Sequence, residues 1–155
     1  MTVLVSDEHP SSGVDPDHIR RSARAVLDAE GYPPDAEVSI VLVDDAEMAG
    51  WNARALGNNG PTDVLSFPLE PLQAGVTPLP KPGGPPLLVG DVVIAPDYVR
   101  RQAHVLGVAA EDELALMVTH GVLHLLGYDH QADEDADLME ARERAILESQ
   151  GRRRR

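Results

Sequence analysis

Residues 110 to 126 read as a helix that is apolar nearly all the way round, with Leu114, Leu116, Met117, Val118, Val122, Leu123, Leu125 and Leu126 covering most of its circumference. A helix with no polar face belongs in the middle of a domain, and the other elements have to be built around it. This helix also carries His120 and His124, four residues apart and so one above the other on a single face. Gly127 comes three residues after His124, where a left-handed turn that glycine adopts cheaply can end the helix. The chain can then fold back and bring His130 to the open side of the pair. Three imidazoles converging with a fourth position free is the pattern of a catalytic zinc site, and ligands on a buried, rigid helix are well pre-organised.

One histidine on an apolar helix is ordinarily a packed, hydrogen-bonded side chain, and a pair at this spacing means little. Three of them around a glycine break, in a chain with 6 histidines, point to a metal. His9, His18 and His104 have no such company and are expected to serve the surface or the core. The chain has no cysteine, which excludes disulfides, thiolate zinc and cysteine-ligated iron–sulfur clusters and leaves histidine and carboxylate as the strong ligands.

The rest of the pattern alternates strands and helices. Val3-Leu4-Val5 suggests a first strand, and Asp15-Pro16 offers an N-cap with proline at the first helical position of a helix closed by Gly31. Val38 to Val43 is a β-branched run read as a buried strand. Asp45 is expected to cap a second helix through Met48, Trp51 and Leu56 to Gly57. Thr62 to Phe67 reads as a third strand stopped by Pro68, and Leu87 to Ile94 as a fourth, in which Gly90 suggests a bulge or a close backbone approach. Pro96 opens a helix to about Leu106, and a charged helix of about 132–149 carries Leu138, Met139, Ala145 and Ile146 as its apolar members. Between the third and fourth strands, 68–86 holds seven prolines in nineteen residues and reads as an extended surface loop or lid. The order β-α-β-α-β-β-α-α-α implies an α+β fold, a small mixed four-stranded sheet packed with about five helices, and the histidine ligand frame at the end of the buried central helix looks zincin-like. Residues 1–150 are expected to form a single domain, followed by an Arg-rich tail at 151–155.

Asp and Glu number 26 against 13 Lys and Arg, a formal net charge of −13, which is not the balance of a nucleic-acid binder. Twelve of the thirteen basic residues are arginines, with Lys81 alone; Arg20, Arg21 and Arg24 sit together, and Arg152 to Arg155 form the tail. Arginine clamps phosphate with two donors, so a local basic patch can act despite the net charge. A solvated helix face and a frayed tail are the plainer expectations for those clusters. The amino-terminal residues lack a basic start and a long apolar stretch, and no run approaches a membrane span, which leads to the expectation of a soluble, cytoplasmic protein.

The segment His-Gly-Val-Leu-His-Leu-Leu-Gly-Tyr-Asp-His matches every histidine and the turn glycine of the extended metalloprotease motif H-E-x-x-H-x-x-G-x-x-H. It departs at Gly121, where the protease keeps the glutamate that moves the proton of the activated water. Phosphodiester cleavage demands less. The nucleophile can be the 2′-hydroxyl of RNA or a water activated at the metal, and a metal with an arginine can neutralise the developing phosphoryl charge. Three neutral imidazoles leave zinc its full double charge, which favours an anionic substrate.

The histidine segment, with Pro61-Thr-Asp-Val-Leu-Ser-Phe-Pro68 and Gly90-Asp-Val-Val-Ile94 in the same order and spacing, resembles the YbeY family of bacterial endoribonucleases, the rRNA maturation factors, over about residues 35–147. The resemblance implies a zinc-dependent, single-strand-selective endoribonuclease with one Zn2+ held by His120, His124 and His130. It would act in 16S rRNA 3′-end maturation and ribosome quality control, with an rRNA precursor and the small ribosomal subunit as partners and neither DNA nor membrane among them. Many members carry an arginine six residues before the threonine of the Thr-Asp-Val-Leu-Ser-Phe-Pro block. Here Leu56 holds that position and Arg54 is the nearest arginine, the candidate for steadying phosphoryl charge. Of the other polar residues, Asp129 is expected to cap a turn or orient a ligand imidazole, Asp63 and Ser66 to flank the site, Asp91 to hold the bulge, and Met139 to pack in the core beneath it. Two alternatives remain: a metallopeptidase-like hydrolase taking a peptide along the 62–67 strand, and a non-catalytic ribosome-assembly factor with a structural metal.

Overall fold

The structure, a computed structural model, describes residues 2–79 and 82–155. Met1, Pro80 and Lys81, and with them the single lysine and one proline of the 68–86 loop, lie outside the described residues. The elements follow the expected order: β1 (Thr2–Asp7), α1 (Pro16–Ala29), β2 (Glu37–Leu42), α2 (Asp45–Leu56), β3 (Val64–Pro68), β4 (Leu88–Ile94), α3 (Pro96–Leu106), α4 (Ala110–Leu125) and α5 (Asp133–Ser149). A short 3-10 turn at Pro10–Ser12 adds to them. The four-stranded sheet runs β1-β2-β4-β3, with the first two pairings parallel and β3–β4 antiparallel, so the fold is the expected mixed α+β arrangement.

Differences at the element ends have local causes. Asp44 rather than Asp45 caps α2, its side chain accepting the Glu47 N–H at 2.8 Å. An extended Asp44 leaves Asp45 as the first helical residue, where its negative charge still meets the positive helix end. The third strand begins at Val64, because the Asp63 carboxylate accepts the Val64 N–H at 2.7 Å and closes the loop before it. Pro68 sits at the end of β3 rather than beyond it, and Leu69 N–H still reaches Val89 O at 3.1 Å.

Period-two burial splits the core into two layers. Val38, Ile40 and Leu42 of β2, with Val92 and Ile94 of β4, face the larger layer with α1, α4 and α5, where Met139 is also fully buried. Val43, Met48, Leu65, Val93 and Ala95 make the smaller layer on the other face, covered by Trp51, Phe67 and Tyr98. Along α4, eleven of the sixteen residues are buried, among them Glu113 and Thr119, as its all-round apolar character requires. None of the described helices is long and apolar enough to cross a membrane.

Two glycines set how closely α4 approaches the sheet. Val89 is the extra residue in β4 where Glu37 pairs with Leu88 and Val38 with Gly90, so the bulge expected at Gly90 is present. Gly90 has φ +151°, and a Cβ there would lie 2.6 Å from Phe67 O and 2.8 Å from Leu125 Cδ2. Backbone geometry makes the bulge, while Asp91, the residue expected to hold it, is half-buried and its carboxylate makes no hydrogen bond among the described residues. At Gly121, in mid-helix, a Cβ would lie 2.8 Å from Val92 Cγ1 and 3.1 Å from Val64 Cγ2. The Ser66 hydroxyl donates to Gly121 O at 2.8 Å and ties the helix to β3 at the same level.

Most described residues of the 68–86 loop are exposed, as a surface loop requires, and a few tie it to the body. Leu72 and Ala74 pack on the larger core, and Thr77 Oγ1 donates to Glu30 O at 2.8 Å. Gly127, at φ +97°, turns directly beneath the Leu72 carbonyl, which leaves no room for a Cβ. The glycine thus serves both the left-handed turn and the loop that covers it.

Replacing Gly90 by alanine combines backbone strain with overlap against fixed main chain, and the expected loss is about 3 kcal/mol of unfolding free energy. Gly57→Ala, at φ +68° with nothing within 4 Å of the added Cβ, is expected to lose only about 1 kcal/mol. Urea unfolding of both variants checks the pair, and equal losses would contradict the close helix–sheet approach.

Candidate metal centre

The three predicted ligands come together. One ring nitrogen from each of His120, His124 and His130 lies within 4.8 Å of the others. Ring centroids are 4.6 Å apart for His120–His124, 5.4 Å for His120–His130 and 4.9 Å for His124–His130. The first two side chains are half-buried on the last turns of α4, and His130 is exposed beyond the glycine turn. That turn is fixed by Tyr128 N–H reaching Leu123 O at 3.1 Å. It is fixed also by the Asp129 carboxylate, which accepts the His130 N–H at 2.7 Å, so Asp129 caps the turn as expected.

Hydrogen bonds behind the rings fix their tautomers. His120 Nδ1 is 2.7 Å from Glu143 Oε2, and His124 Nδ1 is 2.9 Å from Tyr128 O. A carbonyl and an ionised carboxylate only accept, so both Nδ1 atoms carry a proton, and each Nε2 keeps a lone pair where its ring is neutral. Those two Nε2 atoms face one another at 3.1 Å. Two lone pairs at that distance repel unless a proton or a metal ion lies between them. Tetrahedral zinc with nitrogens at about 2.0–2.1 Å spaces them about 3.3 Å apart, close to what is found, and the third imidazole completes the donor set. The residues present therefore fit a metal ion.

The electrostatics agree. Burial, followed by the neighbouring His120, lowers the His124 pKa from its ordinary value and keeps the ring neutral, the form that binds metal. Burial alone pushes the Glu143 carboxyl up, but hydrogen bonds and charge from His120 and Arg154 outweigh it and hold the pKa below the usual value. Glu143 therefore stays ionised at 2 % side-chain exposure, with Arg154 Nε on its other oxygen at 3.0 Å.

The groove around the histidines is bordered by Val64 and Ser66 of β3, which is the edge strand of the sheet, and by Asp63, Glu143, Arg154 and Arg155. Leu56 lies on this groove, whereas Arg54, two residues back on α2, is exposed, its guanidinium 5.0 Å from the Trp51 ring centroid. Ser66 lines the groove and Asp63 makes the loop-end hydrogen bond described above. Of the other histidines, His9 Nε2 pairs with Asp97 at 2.7 Å, His18 is buried against Glu111 O at 3.2 Å, and His104 is exposed in the last turn of α3.

Two participants are not in the sequence reading. Glu143 is one: it falls on the buried stripe Met139–Glu143–Ile146–Leu147 of α5, and a carboxylate inside an apolar stripe is the signal that could have found it. The Tyr128 carbonyl is the other; a backbone acceptor leaves no mark in side-chain identity. The tail is also not frayed. Gly151 ends α5 at φ +73°, and Arg152 N–H returns to Leu147 O at 2.9 Å. Arg152, Arg154 and Arg155 then form ion pairs with Asp112, Glu143 and Glu113.

Fold and site together define an α+β protein built around a three-histidine candidate metal centre. A sequence model of the family described as Endoribonuclease YbeY matches residues 5–151. Relatives of that same description include one from Acidothermus cellulolyticus, 47 % identical over 140 residues, covering 88 % of this chain and 83 % of the relative. Another, from Pelotomaculum thermopropionicum, is 43 % identical over 153 residues and covers 95 % of each chain. The solution structure of a Thermotoga maritima protein superimposes with a TM-score of 0.59 at 23 % identity, over 97 % of this chain and 92 % of that one, a likeness of fold. The chain belongs to the endoribonuclease YbeY family.

Glu143→Gln removes the charge behind His120 and leaves the ring tautomer less firmly held, and it is expected to weaken metal affinity by about 10- to 100-fold. Competition with a chromophoric chelator measures this; unchanged affinity in the folded variant would mean that His120 does not need Glu143.

Proposed function

We propose that the protein is a zinc-dependent endoribonuclease selective for single-stranded RNA. Its proposed place is in 16S rRNA 3′-end maturation and ribosome quality control, in the cytoplasm, on an rRNA precursor and the small ribosomal subunit. The observation that carries the reading is the convergence of one ring nitrogen each from His120, His124 and His130 at the head of an open groove. The relatives' shared description supplies the substrate class.

His120, His124 and His130 would hold the zinc ion, which would supply Lewis acidity and positive charge for a phosphoryl group in the groove. The chain's own residues prepare that position. Glu143 and the Tyr128 carbonyl hold the two helical imidazoles as neutral donors, and the Ser66–Gly121 bond keeps their helix seated on β3. Arg54, in the last turn of the helix whose Leu56 lines the groove, is retained as a candidate for steadying phosphoryl charge.

Gly121 argues against the peptidase alternative. The glutamate that such an enzyme needs after its first histidine has no room here, because position 121 faces Val92 and Val64 across a gap that a Cβ would close. Of the groove carboxylates, Glu143 is engaged on both oxygens by His120 and Arg154, while Asp63 and Asp129 each accept one backbone N–H from the residue that follows.

Cleavage of a 16S rRNA 3′-end precursor is the test. Zinc-loaded protein is expected to cut it, while metal-stripped protein and His124→Ala are not, with all three folded by circular dichroism. No cleavage by zinc-replete, folded protein would favour the assembly-factor reading instead.

A further inference from the structure

Glu113 is a buried carboxylate that the metal centre does not use. Its side chain is 0 % exposed, seven residues before His120 and so two turns back along the same side of α4. An ionised carboxylate this deep needs partners. It has two: Arg155 Nε donates to Oε1 at 2.7 Å and to Oε2 at 3.0 Å, and Gln102 Nε2 donates to Oε2 at 2.9 Å. The same Gln102 amide lies 3.3 Å from Asp63 Oδ2, on the rim of the histidine groove. A chain of polar contacts thus runs from the groove through Gln102 to Glu113 and Arg155.

Arg155 and its neighbour Arg154 are held differently. Arg154 has its donors engaged: Nε on Glu143 at 3.0 Å, Nη1 on Arg155 O at 2.7 Å, and Nη2 3.4 Å from Glu140 Oε1. It anchors the turn of chain that follows α5. Arg155 spends only Nε on the protein. Its Nη1 and Nη2 make no hydrogen bond among the described residues, its side chain is 36 % exposed, and it lines the groove that holds the three histidines. Glu113 fixes the orientation of the guanidinium, so less side-chain freedom is lost when its outer edge meets a ligand.

The groove needs such a donor. Its charged lining residues are Asp63, Asp129, Glu143, Arg154 and Arg155, in a chain of net charge −13. A nucleic-acid backbone entering there meets three carboxylates, one arginine with its donors engaged, and one with two amino groups free. We propose that Arg155, docked on the buried Glu113, is a phosphate-binding residue of the groove, gripping the backbone of single-stranded RNA beside the histidine centre. This inference rests on the endoribonuclease reading and adds a residue that contacts substrate.

The test is binding rather than turnover. A fluorescent single-stranded RNA oligonucleotide with 2′-O-methyl groups, which removes the 2′-hydroxyl as nucleophile, is titrated by anisotropy into zinc-loaded wild type and Arg155→Gln over a series of salt concentrations. The variant is expected to bind about tenfold more weakly at low salt, and its slope of log affinity against log salt is expected to be shallower by about 0.7, one phosphate contact on a single strand. Zinc affinity and the melting temperature, measured beside it, identify a variant that has lost its fold. If Arg155→Gln does not fold, Arg155→Lys carries the test, since it keeps a charge for Glu113 without the second pair of donors, and weaker RNA binding at wild-type melting temperature is expected. Wild-type affinity and slope in Arg155→Gln, or wild-type affinity in Arg155→Lys where that variant carries the test, would overturn the assignment while leaving the endoribonuclease reading standing. Wild-type protein that neither binds this RNA nor cleaves the unmodified precursor would overturn both.

Discussion

The close seating of α4 on the β3–β4 pair is the constraint from which the rest of the structure follows. Gly90 and Gly121 remove the two side chains that would hold helix and sheet apart, and the Ser66 hydroxyl bonds to Gly121 O where they meet. With the α4 backbone at Gly121 seated on the side chains of Val64, Ser66 and Val92, His120 and His124 line the groove beside β3. The same closeness excludes a side chain at 121. One packing solution therefore sets up the candidate ligands and leaves no room for the carboxylate on which a peptidase of similar motif depends.

Around those ligands, polar groups are committed in a definite order. Glu143 and the Tyr128 carbonyl accept the Nδ1–H bonds, which turns the two Nε2 atoms toward each other at 3.1 Å. That arrangement suits a cation between them, a proton or a metal ion. Arg154 offsets the charge of Glu143, and the turn of chain that delivers Arg154 also carries Arg155 to Glu113. Metal centre and arginine segment are thus joined through two buried carboxylates, one on α5 and one on α4.

Much of this was legible in the sequence because it is encoded locally. The helical repeat of 110–126, the i, i+4 histidines, the turn at Gly127 and the bulge at Gly90 each depend on a few neighbouring residues, and each is present. What was not legible depends on contacts between distant positions. Glu143 meets His120 across 23 residues, and Arg155 meets Glu113 across 42. Composition marks both carboxylates only as charge, and burial gives them their roles. The tail at 152–155 reads as a frayed basic run until the acidic partners on α4 and α5 are known. Arg54 marks a different limit: counting along α2 identifies the nearest arginine, but the structure puts it over Trp51 and leaves Leu56 on the groove.

The central claim is that three imidazoles hold one metal ion and leave a position open. X-ray absorption at the zinc edge, on protein loaded with a single equivalent, tests it most directly. The account predicts one ion bound per chain, with three imidazole nitrogens at about 2.0–2.1 Å and one further light ligand that exchanges with added anions. Fewer than three imidazoles, or a fourth protein ligand closing the shell, would contradict it.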